Sequence, residues 1–521
     1  MPLYLGLDSS TQSLSAIVID TDSGQVVENE SLQFGRELPE YASPHGFLIT
    51  DDPSVKHSDP LMWVAALDTL LARLAARRSL ASIAGISGAG QQHGSVYLNT
   101  PLSDVRAWRN DVPLPTQVAP LLSRRTSPIW MDSSTAAECQ EIAAAVGGDA
   151  RVVAISGSRA IERFTGPQIR KFFKTEPEAY AATREIHLVS SFMASLLAGS
   201  SVPIDFGDAA GMNLFDLGSL KWSEPLLNAT APDLARRLHP AVPSTTRVGS
   251  IAPYFVERYG FRAGTPIIAF TGDNPSSLVG MGAIEPGTAV VSLGTSDTVF
   301  AAMREPRTDP RGFGHVFGNP AGGYMCLICF ANGSLAREQL AGLVKLDWAA
   351  FEAAILEQTV PGNGGALLLP YFTPETTPKL LQPQVRLFGD DAFVSLRDGA
   401  RAARAIVEAQ ALAMQRYSDW IGGRPTTILA TGGASRNRGI LQIVADVFQA
   451  EVRTLKVGNS SGLGAALRAA NAVGGVAWSS LFSQFAAPEP SVRIRPTAGS
   501  EHSYTALAHS FATHVDALSP C

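Results

Sequence analysis

Two carboxylates in this sequence stand where a carboxylate could do chemistry, because each follows an apolar run typical of a buried strand. Asp8 comes after residues 3–7 and before the hydroxyl-rich residues 9–12. A carboxylate at a strand end can bind Mg²⁺, directly or through water, and the hydroxyl and N–H groups beside it can contact phosphate oxygens. A turn-capping aspartate explains this stretch equally well when it is taken alone.

The second carboxylate, Asp273, follows the apolar residues 267–270 and precedes Asn274 and Pro275. Proline suits the first turn of a helix, so Asp273 would lie where a strand ends and a helix begins. A carboxylate at such a junction can accept a proton from a substrate hydroxyl. Taken alone, the pair is better explained as a helix N-cap.

Two turns of small residues could bind a nucleotide. Residues 294–298 (Gly-Thr-Ser-Asp-Thr) follow the β-type run 288–293, and small residues allow the backbone to approach a phosphate closely. Residues 432–437 (Gly-Gly-Ala-Ser-Arg-Asn) follow the run 426–430, and two glycines there leave room for a flat ring. Each turn alone is better explained as an ordinary connection.

Residues 87–94 contain glycines at 88 and 90 but do not complete a dinucleotide fingerprint, because the third glycine position is His93. This disfavours a nicotinamide dehydrogenase. The chain also lacks the phosphate-binding loop pattern GxxxxGKS or GxxxxGKT. His93 could donate a hydrogen bond to a sugar hydroxyl, although a single histidine in a loop is more often structural.

The elements that must position these groups alternate between strands and helices. Apolar residues at helical spacing in residues 61–74 and 440–448 predict amphipathic helices. The predicted hairpin at residues 6–11 resembles the one at residues 292–298, which suggests two related domains. Alternation of strands and helices is typical of an α/β protein.

Length, composition and charge argue against a nucleic-acid-binding, a membrane-spanning or a disulfide-rich protein. Of 521 residues, 45% are hydrophobic and 17% charged, and the net charge is −6. This length predicts two or more domains. No basic patch indicates a nucleic-acid partner, and no apolar run is long enough to predict a membrane span.

The opening residues lack a signal-peptide pattern, and four cysteines are too few for a disulfide scaffold, so we expect a cytoplasmic protein. Cys326 and Cys329 form a CxxC in an apolar strand and are interpreted as buried thiols.

Taken together and in chain order, these motifs resemble those of the FGGY carbohydrate kinases. Each motif alone is weak, but the ordered set is specific and extends over most of the chain. The similar stretches are residues 8–12, 87–94, 130–135, 158–160, 162–166, 211–214, 270–275, 292–298, 332–335 and 430–435.

The resemblance implies an α/β fold with two RNase H-like domains, of the actin-like ATPase and sugar kinase type, flanking a catalytic cleft. We expect an N-terminal domain at residues 1–255 on the sugar side and a C-terminal domain at residues 256–480 on the nucleotide side. Residues 481–521, rich in proline and serine, are expected to form a peripheral tail.

The resemblance also implies an activity, the ATP-dependent phosphorylation of a small ketose. Within the family, the chain is most similar to members that act on D-xylulose. Asp273 would be the catalytic base, and ATP and Mg²⁺ would take part. The residues expected to contact the ketose are His93, Arg163, Asp273 and Asn274. Those expected to contact Mg-ATP are Asp8 (also the metal-binding residue), Thr11, Thr295, Ser296, Trp348, Gly432, Gly433 and Asn437.

We expect the partners to be these small molecules alone, with a monomer or homodimer as the assembly. Two rival interpretations remain open at this point. The first is an FGGY kinase for another ketose or polyol, such as ribulose or glycerol. The second is an actin- or Hsp70-like ATPase with a protein partner, which would leave His93 and Asp273 without a role.

The sequence departs from many bacterial family members in two places. It has Gln91-Gln92-His93 where they have Gln-Met-His, and residues 168–173 lack their Lys-aliphatic-x-Trp pattern. These departures leave the kinase prediction unchanged, but the sugar specificity of the bacterial members does not carry over in detail to this sequence.

Overall fold

The computed structural model describes residues 2–104, 108–455 and 458–518. The chain divides into two compact units. The first contains Met1–Gly282, Val316–Tyr324 and Val457–Ala487, and the second contains Ala283–His315, Met325–Lys456 and Pro488–Cys521. Within the described residues, no helix combines the length and the apolar character needed to cross a membrane.

Strands and helices alternate along both units, as the sequence predicts for an α/β protein. The longer strands and those that complete the main sheets are β1 (Leu3–Ser9), β2 (Ser13–Asp20), β3 (Gln25–Gln33), β4 (Ile83–Gly90), β5 (Ser95–Leu98), β6 (Glu185–Leu188), β7 (Arg247–Ser250), β8 (Pro266–Ile268), β9 (Thr271–Gly272), β10 (Thr288–Leu293), β11 (Asp297–Met303), β12 (His315–Gly318), β13 (Tyr324–Phe330), β14 (Leu367–Tyr371), β15 (Gln384–Phe388), β16 (Thr427–Thr431), β17 (Glu451–Thr454) and β18 (Arg493–Ile494).

The longer helices include the two predicted from apolar spacing, which are α1 and α10. They are α1 (Pro60–Arg77), α2 (Ala136–Val146), α3 (Asp149–Ser156), α4 (Thr165–Thr175), α5 (Val189–Ala198), α6 (Asp273–Gly280), α7 (Ser334–Leu343), α8 (Trp348–Glu357), α9 (Gly399–Tyr417), α10 (Arg438–Phe448), α11 (Ser460–Gly474), α12 (Trp478–Phe485) and α13 (Ser500–Asp516).

A mixed sheet forms the centre of the first unit, with strand order β7-β8-β4-β1-β2-β3 and with β9 also paired to β4. β1, β2 and β3 form the antiparallel meander predicted from three apolar runs separated by turn residues. β1 and β9 both run parallel to β4, so Asp8 lies opposite Ala89 and Gly272 lies opposite Gly90. The carboxyl ends of β1, β4 and β9 therefore meet at one edge of the sheet.

Helix α6, which begins at Asp273, packs closely against α11 in the same unit. A Cβ at Gly280 would stand 1.9 Å from the Ser460 carbonyl oxygen, and a Cβ at Gly464 would stand 1.9 Å from the Ser276 carbonyl oxygen. Neither glycine can carry a side chain at this distance. This reciprocal contact sets the position of the helix that carries Asp273.

Arg468 of α11 ties the same helix to the sheet. Its side chain is fully buried, and its two terminal nitrogens donate to the carbonyl oxygens of Gly88 and Ala269, each at 2.6 Å. The segment that follows residue 457 is thus built into the first unit. The expected boundary between residues 255 and 256 falls inside this unit, because β8 and β9 belong to its sheet. The division into family domains stays a prediction.

In the second unit, a sheet has the order β13-β11-β10-β16-β17-β18. β10 and β11 form an antiparallel hairpin in which Leu293 lies opposite Asp297. β16 runs parallel to β10, with Thr431 opposite Ser292. The turn at residues 294–296 and the glycine turn after β16 therefore lie at the same edge of this sheet.

The C-terminal segment is integrated in the second unit. Helix α13 packs against α9 and α10, and the Tyr504 hydroxyl donates to the Glu408 carboxylate at 2.8 Å. β18 pairs with β17 at the edge of the sheet. Most of the expected tail is thus part of the fold, while its last positions, 519–521 with Cys521, lie outside the described residues.

Candidate active site

Asp8 lies near the end of β1 and is buried. Its Oδ1 atom is enclosed and has no hydrogen-bond partner in the part of the chain that the structure describes. Burial, followed by the negative charge of Asp273, raises the pKa of Asp8 to about 7. A cation or its bound water would satisfy such an oxygen, so the residue fits the metal-binding role expected for it.

Asp273 is the first residue of α6 and is partly buried. Its Oδ1 atom accepts hydrogen bonds from the Asn274 backbone N–H at 2.9 Å, the Asn274 Nδ2 at 3.1 Å and the Gln92 backbone N–H at 3.3 Å. Burial raises the pKa of Asp273 to about 6, although the backbone N–H groups of Asn274 and Gln92 oppose the shift. The carboxylate is therefore ionised at neutral pH and basic enough to take a proton. The N-cap of α6 is Gly272, so the N-cap explanation for Asp273 does not apply.

His93 follows β4 and is buried, with a left-handed backbone (φ +71°) that is uncommon outside glycine. Its Nδ1 is 2.7 Å from the Gly211 carbonyl oxygen, which can only accept, so Nδ1 carries the proton. Burial, with the charge of Arg163, lowers the pKa of His93 to about 3, and the ring is neutral. Nε2 is then an acceptor. The expectation that His93 donates to a sugar hydroxyl is wrong for this tautomer, because the ring can only accept from it.

Arg163 lies in the segment before α4, and its positive charge reaches the imidazole of His93. The rings of His93 and Phe164 pack with their centroids 4.3 Å apart. The Thr165 hydroxyl donates to the His93 carbonyl oxygen at 2.9 Å. The start of α4 and the loop after β4 are thus held together, and with them Arg163 and His93.

Thr11, predicted for the nucleotide, lies in the turn between β1 and β2. Its hydroxyl oxygen accepts a hydrogen bond from the Trp130 indole N–H at 2.8 Å. This hydrogen bond joins two stretches, residues 8–12 and 130–135, that only the family resemblance relates at the level of sequence.

Two buried carboxylates near Asp273 were not singled out from the sequence. Asp205 is the N-cap of a short helix (Phe206–Ala210) and accepts from the N–H groups of Gly207 and Asp208. Burial, and then the charge of Asp205, raises the pKa of Asp208 well above its usual range, and Asp273 adds to the effect. The spacing Asp205-x-x-Asp208 was the available signal, but it is also typical of ordinary helix starts.

Among the described residues, one group of possible metal ligands lies close enough together to share an ion: Glu185, His187 and His239. The Glu185 carboxylate already accepts from His187 Nε2 at 3.1 Å and from the Ser201 hydroxyl at 2.7 Å. The protein thus satisfies this carboxylate with its own donors. Asp8 is not part of the cluster.

The second unit contains a pocket of about 680 Å³ at the edge where β10 and β16 end. Four residues predicted for the nucleotide line it, and two others predicted there, Ser296 and Gly432, do not. The lining comprises Leu293, Gly294, Thr295, Ser334, Glu338, Trp348, Ala349, Glu352, Gly433, Ala434, Arg436, Asn437 and Ile440.

The elements around this pocket explain the positions of its residues. Trp348 is the first residue of α8 and is 46% exposed, so its ring is partly accessible to a ligand. Asn437 caps α10, its Oδ1 accepting from the Ile440 N–H at 3.0 Å. Gly432 has φ +89°, and a Cβ there would stand 2.5 Å from the Leu293 carbonyl oxygen. Gly432 therefore shapes the turn without lining the pocket.

A buried ion pair supports the turn at residues 294–296. The Arg337 guanidinium binds both carboxylate oxygens of Asp297, at 2.8 and 3.0 Å. Arg337 also donates to Gln410 Oε1 at 2.7 Å and to the Ser334 hydroxyl at 2.9 Å. Both partners of the pair are almost completely buried. Neither Arg337 nor Gln410 was predicted to matter, because an isolated arginine on a helix carries no sequence signal.

Comparison with known proteins agrees with this architecture. Residues 123–280 match the FGGY family of carbohydrate kinases, N-terminal domain, and residues 289–473 match the C-terminal domain of that family. Xylulose kinase of Rattus norvegicus is 42% identical, over 98% of this chain and 95% of the rat protein. Xylulose kinase 2 of Arabidopsis thaliana is 41% identical, over 90% of this chain and 87% of the plant protein.

Among solved structures, xylulose kinase from Rhodospirillum rubrum superimposes with a TM-score of 0.83, covering 99% of both chains at 23% identity. This structural likeness establishes the fold, while the family matches and the two relatives establish the relationship. The chain therefore belongs to the FGGY family of carbohydrate kinases and is a sugar kinase.

Proposed function

We propose that the protein transfers the γ-phosphoryl group of ATP to the 5-hydroxyl of D-xylulose, yielding ADP and D-xylulose 5-phosphate. The observation that carries the proposal is the similarity to the rat and Arabidopsis xylulose kinases over nearly the full chain. The polar residues gathered at the carboxyl edge of the first-unit sheet support it, since they suit a small polyhydroxylated ligand.

Asp273 is the proposed catalytic base. Three N–H groups donate hydrogen bonds to its Oδ1, so Oδ2 is the oxygen that can accept the proton of the sugar hydroxyl. The sugar oxygen forms a bond to the γ-phosphorus, the bond from that phosphorus to the β,γ-bridging oxygen breaks, and the proton moves to Asp273. Little proton removal is needed early in a loose phosphoryl-transfer transition state, so a carboxylate with a pKa of about 6 is sufficient.

The proposed sugar contacts divide by hydrogen-bonding role. His93 Nε2 would accept from a sugar hydroxyl, because Nδ1 carries the proton of the neutral ring. Arg163 would donate, since a guanidinium offers only N–H groups. Asn274 uses Nδ2 for Asp273 and Gln92, so its Oδ1 is the atom it would offer to the sugar.

The residues proposed to bind Mg-ATP come from the end of β1 and the turn after it in the first unit, and from two turns and helix α8 in the second unit. The enclosed Oδ1 of Asp8, which has no hydrogen-bond partner among the described residues, suits Mg²⁺ or a water bound to it, and the ion would neutralise phosphate charge. Thr11 and Ser296 would contribute hydroxyl groups. In the pocket of the second unit, Trp348, Gly433 and Asn437 would contact the adenosine, and Thr295 would donate to phosphate oxygens.

The test is ADP release from Mg-ATP with D-xylulose, D-ribulose, L-ribulose, glycerol or no sugar. We expect D-xylulose to give the highest kcat/KM in the panel. Preference for another sugar would refute the substrate and keep the kinase, whereas ADP release independent of every sugar would refute the proposed reaction.

A further inference from the structure

Gln92 forms hydrogen bonds with both residues that the proposed reaction uses at the start of α6. Its backbone N–H donates to Asp273 Oδ1 at 3.3 Å, and its side-chain Oε1 accepts from Asn274 Nδ2 at 2.9 Å. Its side chain is buried. One residue of the loop after β4 therefore contacts both Asp273 and Asn274, from which it is separated by about 180 positions in the sequence.

The orientation of the two amides follows from these contacts. Asp273 Oδ1 accepts two backbone N–H bonds, so the Asn274 atom beside it at 3.1 Å must be the donor Nδ2. The same Nδ2 reaches Gln92, whose facing atom must be the acceptor Oε1. The Gln92 Nε2 is then fixed on the far side, where it is enclosed and has no partner among residues 2–104, 108–455 and 458–518.

Gly272 provides the space that the Gln92 side chain occupies. A Cβ at position 272 would stand 2.3 Å from Gln92 Cγ and 2.8 Å from its Nε2. Any side chain at position 272 would push Gln92 away from Asn274. The contact between Gln92 and Asn274 therefore depends on glycine at the N-cap of α6.

We propose that Gln92 is a positioning residue that acts through Asn274 to hold the Asp273 carboxylate in its reactive orientation. While Gln92 Oε1 accepts from Asn274 Nδ2, that amide keeps its hydrogen bond to Asp273 Oδ1. Asp273 Oδ2 is then left to accept the proton of the sugar hydroxyl. This inference rests on the proposed function, because it takes Asp273 as the base.

Simple packing would not favour glutamine here. Methionine fills a similar volume and would not enclose an amide N–H that, among the residues the structure describes, has no acceptor and is costly to bury. If Gln92 only fills space, Gln92→Met leaves kcat unchanged and leaves the melting temperature equal or higher. If it positions Asp273, the same variant keeps its stability but lowers kcat.

The test is a double-mutant cycle with Gln92→Met and Asn274→Ala in the full-length protein, using the sugar of the panel that is phosphorylated. We expect Gln92→Met alone to lower kcat about 10- to 100-fold, as misplacement of a reacting group does, with the KM for ATP unchanged. In the Asn274→Ala background, Gln92→Met should have no further effect, because the two residues act through one contact. Independent, multiplicative effects on kcat would overturn the proposal.

Two further variants separate this inference from its premise. Gly272→Ala displaces Gln92 without removing a polar group and should lower kcat in the same way, with its melting temperature measured in parallel. Gln415→Met, which removes a glutamine amide that donates to the Val447 carbonyl in the second unit, is the matched control and should leave kcat unchanged.

If Asp273→Asn retains normal turnover, the proposed base is wrong. If Asp273→Asn is inactive and Gln92→Met is fully active, only the positioning role fails.

Discussion

The buried pair of Arg337 and Asp297 allows a prediction with a magnitude. Arg337→Met removes both hydrogen bonds to the Asp297 carboxylate and leaves that carboxylate buried without a cation. Breaking a buried ion pair by removing one partner destabilises a protein by about 3–5 kcal/mol. A domain of 150–250 residues loses about 2–4 °C of melting temperature per kcal/mol, so we expect a fall of about 6–20 °C for the transition of the second unit.

The pH dependence of this defect has a definite sign. Burial already raises the pKa of Asp297, against the opposing effect of Arg337, so removing the arginine raises it further. A carboxyl whose pKa is higher in the folded than in the unfolded state destabilises the fold when it is ionised. The penalty of Arg337→Met is therefore full above the raised pKa and shrinks as the pH falls toward the ordinary value near 3.8.

Thermal unfolding of the wild type and variants at several pH values is the assay. Arg311→Met, which removes a more exposed ion pair with Asp419, is the matched control and should lose no more than about 1 kcal/mol. The double variant Arg337→Met/Asp297→Asn should recover part of the lost stability, because it no longer buries an unpaired charge. A loss below about 1 kcal/mol for Arg337→Met, or a double variant as unstable as the single one at neutral pH, would refute the reasoning.

Three further predictions concern catalysis. Asp273→Asn should lower kcat by about 10²–10⁴-fold while the far-ultraviolet circular dichroism spectrum is retained, and near-normal turnover would exclude Asp273 as the base. The kcat/KM of the wild type should fall as the pH drops from about 7 to below about 6, because Asp8 and then Asp273 become protonated, and a profile flat down to pH 5 would contradict this. Trp348→Ala should raise the KM for ATP about tenfold with little effect on the sugar KM, since stacking on an aromatic ring contributes about 1–3 kcal/mol per base, and an unchanged KM for ATP would remove Trp348 from the nucleotide site.

The elements that local signals define could be predicted from the sequence. The meander of β1, β2 and β3 and the helices α1 and α10 follow from apolar periodicity and turn residues, which act over a few positions. Asp8 and Asp273 were also identifiable, because each comes directly after an apolar run. Their closeness at one sheet edge was not predicted, because the expected boundary between residues 255 and 256 places them in different domains.

What the sequence could not provide depends on contacts between distant segments. Nothing near Gln92 indicates that its amide faces Asn274, and nothing near Arg337 indicates that its guanidinium is buried, since arginine is seldom buried. The protonated nitrogen of His93 is set by the Gly211 carbonyl, which lies 118 residues away. Such partners become visible only once the chain is folded.

The return of residues 458–487 to the first unit has a consequence for biosynthesis. Helix α11, with Gly464 and Arg468, is translated after most of the second unit, yet it covers the sheet that carries Asp8 and supports α6. Domains in a nascent chain usually fold in order from the N-terminus, but this first unit cannot complete its core until the ribosome has almost finished. While the second unit emerges, the apolar surface awaiting α11 is exposed and open to chaperones. Premature termination before residue 458 would leave both units defective.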